Sequence, residues 1–176
     1  GNTVEEYEGM VEKISDADVD LIEMNISCPN VKCGGMAFGT QPKMVEEVVS
    51  AAKAKAKKPL IVKLSPNVTD IAEIARAAES AGADALSLIN TLLGMRIDIE
   101  KRKPILSNVM GGLSGPAVFP VAVRMVYQVR KAVSVPILGT GGIRTGRDIV
   151  EMLLEEWMDA HGVKSVSELS GAVEVG

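Results

Sequence analysis

Short apolar runs alternate with amphipathic segments along the chain. Four runs have the length and composition of buried β-strands, namely Leu21–Met24, Leu60–Leu64, Ala85–Ile89 and Val135–Leu138. Most segments between them repeat apolar residues at helical spacing, as in Val4–Ser15, a helix beginning at Pro42, another following Asp70, Val118–Ala132, and Arg147 to about Glu156. Strands that alternate with helices predict an α/β fold with a parallel sheet and right-handed crossovers.

Local signals sharpen several of these boundaries. Asp70 followed three residues later by Glu73 resembles a capping box, which starts a helix. Gly82 is well suited to end the same helix, because glycine accepts the left-handed backbone conformation found there. After the third strand, a long glycine-containing loop is expected to run from Thr91 to Pro116.

Composition excludes several classes of protein. The 176 residues suffice for one domain with a substantial core, and a net charge of −4 gives no indication of nucleic-acid binding. No apolar run is long enough to cross a bilayer. Two cysteines do not make a disulfide framework, so reduced thiols and a cytoplasmic location are expected. The start at Gly1 has neither an initiator methionine nor a signal peptide, which suggests a piece of a longer protein.

Polar side chains cluster where the first strand ends, in the run Asn25–Asn30. Asn25 and Asn30 offer donors and acceptors that suit a planar, amide-rich ring, although asparagine is also common in turns. The Cys28 thiol could act as a base or nucleophile if its proton is easily lost. A buried structural cysteine before an ordinary turn is the alternative. Ser27 is expected to point to the face opposite that of Cys28 if the strand continues, and it is given no role.

Further polar and glycine residues follow the other strands. Lys63 sits in an apolar strand and needs a partner, which could be a ligand or an acidic residue across the fold. Asn90 and Thr91 end the third strand. Glycines at Gly115 and at 141–142 would allow the backbone to approach a phosphate closely, as would a helix beginning near Arg147. All these residues lie at the carboxyl ends of strands, where parallel α/β proteins place their sites.

Five motifs, in this order, resemble the dihydroorotate dehydrogenase family. They are Asn25–Gly39, Val62–Asn67, Ile89–Thr91, Gly111–Pro116 and Gly139–Gly142. The resemblance covers nearly the whole chain and is greatest to the NAD-linked class. It implies FMN as cofactor, dihydroorotate and orotate as substrate and product, and no metal ion.

The resemblance also implies roles for individual residues. Cys28 matches the catalytic base that removes a proton from dihydroorotate. The residues matching substrate-binding positions are Asn25, Asn30, Asn90 and Thr91, and those matching FMN-binding positions are Asn25, Lys63, Ile89, Gly115, Gly141 and Gly142. Lys63 would stabilise negative charge on the reduced flavin. Cys33 matches no role.

The implied fold is a (β/α)8 barrel, but the chain contains only part of it. A complete barrel has eight strands, and the four predicted here match barrel strands four to seven. The last barrel strand is missing at an apparent junction near residues 156–157, within a single partial barrel domain spanning residues 1–176. Four strands would leave exposed parallel edges.

The resemblance predicts a subunit of a larger enzyme. Hydride would pass from dihydroorotate to FMN, and electrons would then reach NAD through a partner flavoprotein with FAD and an iron–sulfur cluster. A homodimer within a heterotetramer is expected, without nucleic acid or membrane. Fumarate-linked dihydroorotate dehydrogenase and dihydropyrimidine dehydrogenase share the cysteine base; Val31–Gly39 and Arg102–Leu106 favour the NAD-linked form. The other alternative is a non-catalytic half-barrel fragment that cannot hold FMN.

Overall fold

The computed structural model describes residues 1, 3–27 and 38–161, with residues 154–161 described by their backbone only. The helices are α1 (Val4–Ser15), α2 (Pro42–Lys55), α3 (Ile71–Ser80), α4 (Phe119–Arg130) and α5 (Gly146–His161). The strands are β1 (Ile22–Asn25), β2 (Leu60–Lys63), β3 (Ala85–Leu88), β4 (Leu92–Met95), β5 (Ile97–Asp98), β6 (Lys103–Pro104), β7 (Met110–Leu113) and β8 (Ile137–Gly139).

A four-stranded parallel sheet forms the centre of the described structure. Its strand order is β1-β2-β3-β8, so each parallel strand lies beside the next one along the chain. This is the order of a barrel wall that is built strand by strand. The four predicted strands, their parallel direction and the α/β class are therefore confirmed, with boundaries within two residues of those predicted from the sequence.

The core lies between one face of the sheet and the helices. Side chains alternate across each strand, and those facing the helices, such as Met24, Val62 and Leu86, are almost completely buried. Val48 on α2 and Ile74 on α3 belong to the same cluster. The opposite face carries the polar strand residues.

The predicted helix signals around α3 are confirmed. The Asp70 carboxylate accepts hydrogen bonds from the backbone N–H groups of Ala72 and Glu73, at 2.8 and 3.3 Å. Gly82 has a φ of +97°, which glycine adopts without strain, and it follows the last turn of the helix. Local sequence chemistry thus determines both ends of this element.

The segment predicted as a long loop is a β-structure instead. Residues 92–113, called the ribbon below, contain two antiparallel pairs, β4 with β7 and β5 with β6. Apolar residues at every second position, as in Met95, Ile97 and Ile99, are typical of strands. The loop was predicted because the segment contains several glycines, which are more typical of loops than of strands.

Helix α5 is longer than predicted. It was expected to end near Glu156, but its backbone continues to His161. No proline or glycine interrupts the sequence between Arg147 and His161, so nothing in the chain ends the helix earlier. The apparent junction near residues 156–157 therefore lies inside a continuous helix.

The four strands form an open arc. Within the described residues, β1 and β8 each have a strand neighbour on one side only. Apolar residues are exposed near both edges: Leu21 is 49% exposed beside β1, and Leu138 on β8 is 51% exposed. The described part of the chain is consequently a partial barrel wall with two open edges.

Candidate active site

The carboxyl ends of the strands bring together most of the described residues that the sequence marked. Strand register aligns Asn25 of β1 with Lys63 of β2, Lys63 with Ser87 of β3, and Ser87 with Leu138 of β8. Because side chains alternate, these four residues lie on the face opposite the helices, in one layer across the sheet. This layer is the floor of the candidate site.

Three polar side chains form a hydrogen-bonded group beside this floor, called the amide cluster below. The Asn25 Oδ1 atom accepts from the Ser27 hydroxyl at 3.0 Å and from the Asn90 Nδ2 atom at 3.1 Å. Asn90 Nδ2 also donates to the Ser27 hydroxyl oxygen at 2.7 Å. Asn25 and Asn90, which are 65 residues apart in the sequence and were predicted from different strands, therefore meet in space.

The prediction for Ser27 was wrong. It was expected to point away from the site, but its hydroxyl is a member of the amide cluster and is 1% exposed as a residue. The prediction took the adjacent Cys28 as its reference, whereas alternation keeps Ser27, two residues after Asn25, on the same face as Asn25. Its backbone N–H also donates to Asn25 Oδ1 at 3.0 Å, so a tight turn holds the two residues together.

Lys63 has an acidic partner that the sequence interpretation did not name. Its Nζ atom lies 3.2 Å from Glu23 Oε1, and the two side chains are 27% and 35% exposed. The partner was expected across the fold, but Glu23 is on the adjacent strand, on the same face as Asn25. The alternation of β1 was the signal that could have identified it.

The glycine positions and Ile89 lie close together near the end of β8. Gly115, Gly141 and Gly142 have φ values of +93°, +123° and +76°, which side chains rarely adopt. A Cβ atom at Gly142 would lie 2.7 Å from the Gly115 carbonyl oxygen, and one at Gly141 would lie 3.1 Å from Ile89 Cγ1. We call this group the glycine cradle.

The N-terminus of α5 carries an acidic cap. The Asp148 carboxylate accepts from the N–H groups of Arg144 and Thr145, both at 2.9 Å, and the Thr145 hydroxyl accepts from the Asp148 N–H at 3.2 Å. These backbone hydrogen bonds lower the pKa of the Asp148 carboxyl below its ordinary value. A capping box therefore places negative charge where the sequence suggested help in binding phosphate.

Several predicted site residues cannot be placed. Cys28, Asn30 and Cys33 lie outside the described residues. Thr91 is described and contributes its backbone carbonyl to a hydrogen bond from Asn67 Nδ2 at 3.0 Å. The end of β1 nevertheless fixes the origin of the segment that continues to Cys28.

Among the described residues, no three His, Cys, Asp or Glu side chains come together in a group that could hold a metal ion. In the same residues, no helix combines the length and apolar character needed to span a membrane.

Comparison with protein families gives the decisive observation. Residues 1–155 match the family model described as dihydroorotate dehydrogenase. The chain belongs to this family. Dihydroorotate dehydrogenase B (NAD(+)), catalytic subunit, from Alkaliphilus metalliredigens is 69% identical over 154 residues, which are 88% of this chain and 51% of that protein. The protein of the same name from Alkaliphilus oremlandii is 55% identical over 197 residues, covering 97% of this chain and 65% of that protein.

A structural comparison supports the same fold. The crystal structure of ligand-free type DHODH from Eimeria tenella matches with a TM-score of 0.63 and 23% sequence identity, over 86% of this chain and 48% of that chain. The chain thus spans about half the length of the first of these curated relatives and of this solved structure. The expectation of a partial barrel of this family is confirmed.

The residues present fit the cofactor that the family implies. In the described part of the chain, the Ser87 hydroxyl is buried without a hydrogen-bond partner, in the same layer as Lys63. Lys63 supplies a cation and the amide cluster supplies amide donors and acceptors, which suit a flavin ring. The glycine cradle leaves no room for a Cβ atom at Gly142.

Proposed function

We propose that this chain is part of the catalytic subunit of an NAD-linked dihydroorotate dehydrogenase, which oxidises dihydroorotate to orotate in pyrimidine biosynthesis. The observation that carries the proposal is the amide cluster. It joins Asn25 and Asn90 at the carboxyl end of the sheet, beside Lys63 and directly before Cys28 in sequence. Hydrogen-bonding amides beside a cation suit a planar ring with amide and carboxylate groups.

Each residue has a distinct role in this proposal. Cys28 removes a proton from one ring carbon of dihydroorotate, and bound FMN supplies the acceptor for the hydride from the neighbouring carbon. The side chains that hold the substrate are Asn25, Asn30, Asn90 and Thr91. The residues that would hold FMN are Asn25, Lys63, Ile89, Gly115, Gly141 and Gly142.

Lys63 contributes electrostatically. Its ammonium group favours negative charge on a reduced flavin, and this effect strengthens where water is excluded. Glu23 holds the ammonium group at 3.2 Å on the floor of the site, so the cation already has a defined position without ligand.

The proposal includes a partner subunit. Electrons would reach NAD through a flavoprotein with FAD and an iron–sulfur cluster, and the catalytic subunits would form a homodimer within a heterotetramer. The printed name of the relatives, a catalytic subunit of an NAD(+)-linked enzyme, supports a separate partner and favours NAD over fumarate. The cytoplasmic location expected from the sequence stays a prediction.

We also infer that an internal segment is missing near residues 156–157. The alignment with the Alkaliphilus oremlandii protein spans 197 positions and so exceeds the 176 residues of this chain, which means that this relative contains residues absent here. The family match ends at residue 155. An interruption inside α5 accounts for both observations.

The open edges favour a second candidate, in which the chain is a non-catalytic half-barrel fragment that cannot hold FMN by itself. An absorbance spectrum of the purified chain distinguishes the two. Flavin bands near 450 nm would support the enzyme as it stands, whereas a colourless protein would support the fragment.

The role of Cys28 is tested in a version of the protein extended with the strands that its relatives carry. Cys28→Ala should slow flavin reduction by dihydroorotate by at least about 100-fold, because no other group is proposed to remove the proton. FMN content should remain unchanged. Stopped-flow absorbance measures the reduction rate directly.

Cys33→Ala is the matched control, since this thiol is given no role and its variant should stay within about twofold of the parent rate. If Cys28→Ala reduces flavin at nearly the parent rate, the assignment of the base is wrong.

A further inference from the structure

Asn67 connects the loop after β2 to the segment that leaves β3. Its Oδ1 atom accepts from the Leu93 backbone N–H at 2.8 Å, and its Nδ2 atom donates to the Thr91 carbonyl oxygen at 3.0 Å. One side-chain amide therefore bonds a carbonyl and an N–H two residues apart, as a neighbouring strand would. The backbone at the base of the ribbon is held from one side by this contact.

The orientation of Asn67 is itself fixed. The Ser65 hydroxyl oxygen accepts from the Asn67 backbone N–H at 3.1 Å and from Asn67 Nδ2 at 3.3 Å. Ser65 is fully buried. Because the Thr91 carbonyl can only accept and the Leu93 N–H can only donate, the amide has one favourable orientation, and Ser65 supports it.

The segment braced in this way includes Asn90. The Asn90 backbone N–H donates to the Leu64 carbonyl oxygen at 3.1 Å, and the Thr91 N–H donates to Asn90 Oδ1 at 2.8 Å. Behind the segment, the Thr91 side chain lies so close to Gly112 that a Cβ atom there would overlap it. The turn that carries Asn90 is thus held by contacts with Leu64, Asn67 and Gly112.

We propose that Asn67 is a positioning residue, which fixes the turn at residues 90–93 and thereby directs Asn90 into the amide cluster. The functional meaning of this inference rests on the proposed function of Asn90 and Thr91, but its structural content does not. Neither Asp nor a small side chain can replace the amide, because only an amide presents a donor and an acceptor side by side.

Hydrogen exchange of the 176-residue chain without ligand tests this proposal. Residue-level mass spectrometry with electron-transfer fragmentation reports the Leu93 amide, which depends on Asn67, and the Thr91 amide, which depends on the side chain of Asn90. In Asn67→Ala, both amides should exchange about tenfold faster, the ratio that corresponds to one hydrogen bond.

Asn67→Asp separates the effect of the hydrogen bond from the Leu93 N–H from that of the hydrogen bond to the Thr91 carbonyl. Aspartate still accepts from Leu93 but presents a second oxygen to the Thr91 carbonyl. The Leu93 amide should therefore remain within about threefold of the parent rate, while the Thr91 amide accelerates about tenfold. General destabilisation would not produce this split.

Asn108→Ala is the matched control, since Asn108 is exposed on the ribbon and makes its described hydrogen bond through its carbonyl. It should leave both amides unchanged. The proposal is overturned if the Thr91 amide keeps its parent rate in either Asn67 variant, or if the Ser87 amide of β3 accelerates as much as Thr91. Failure of the protein extended with its relatives' strands to bind FMN or dihydroorotate would contradict the proposed function and leave this exchange pattern intact.

Discussion

The two halves of the sheet differ in how completely the chain encloses them. On the side of β1, β2 and β3, the residues facing the helices are buried, and Val62 and Leu86 are fully inaccessible. On the side of β8, Ile137, which faces the helices in register with Leu86, is only partly buried, and Leu153 on α5 is 53% exposed. An apolar cleft of about 240 Å³ lies between α4, β8 and α5.

This difference divides the candidate site. The amide cluster and Lys63 belong to the enclosed half, where partners on or after neighbouring strands hold each side chain. The glycine cradle follows β8 at the open edge and has no further strand beside it among the described residues. The chain thus supports the proposed substrate-binding side of the site better than the proposed phosphate-binding side.

The largest expected effect tests the difference in enclosure directly. Leu86→Ala should lower the free energy of unfolding by about 2–5 kcal/mol, because it leaves a cavity in a closed core. Ile137→Ala, at the matching position on the open half, should cost less, about 1–2 kcal/mol, since that side chain is only partly buried. Urea titrations followed by circular dichroism measure both. Equal losses would mean that the two halves are equally enclosed.

A second substitution tests whether the glycine cradle is folded as described. Gly142→Ala should destabilise the protein by about 1–3 kcal/mol, because its φ of +76° is strained for alanine and the new Cβ atom would meet the Gly115 carbonyl oxygen. Gly146→Ala is the control, since the space around that residue is open. Thermal unfolding of the two variants should differ clearly. If Gly142→Ala unfolds at the same temperature as the parent, the glycine cradle does not have the close packing described.

Features that depend on residues close together in the sequence were predicted, whereas features that depend on distant residues were missed. The strands and helices, the Asp70 cap and the turn at Gly82 depend on neighbours in sequence and were predicted correctly. The ribbon was missed because its pairing joins segments far apart, such as Leu92 with Leu113. Sequence patterns do not encode those pairings locally.

The site shows the same division. The strand-end position of Asn25 and Asn90 was visible in the sequence, whereas their contact depends on the strand order. Glu23 and Ser27 were missed for the same reason, because their partners, Lys63 and Asn90, come from other strands. The roles assigned to Cys28 and Asn30 remain predictions, because these residues lie outside the described part of the chain.

A smaller effect concerns the attachment of the β8 half to the enclosed half. Glu79 on α3 accepts from the Ser134 hydroxyl at 2.7 Å and from the N–H groups of Ser134 and Val135 at 2.8 and 3.1 Å. These hydrogen bonds, led by that of the Ser134 hydroxyl, lower the pKa of the Glu79 carboxyl below its ordinary value of 4.5. The ionised form therefore stabilises the fold above about pH 4.5, and this contribution is lost as pH falls through the lower, folded-state value.

Glu79→Gln should accordingly lose stability at pH 7 and show a weaker dependence on pH between about 5 and 3 than the parent. Urea midpoints measured across that range give the comparison. Glu46→Gln, on the exposed face of α2, controls for the loss of one negative charge. If both variants follow the same pH curve, Glu79 does not hold the β8 half in place.

The most direct test of the divided site is an FMN titration of the 176-residue chain, monitored by flavin fluorescence and combined with light scattering. Four strands cannot close a barrel, and open parallel edges promote association. We therefore predict a self-associating half-barrel without saturable FMN binding in the micromolar range. A monodisperse monomer that binds FMN at micromolar concentration would contradict this account, because the open half would then suffice to hold the cofactor.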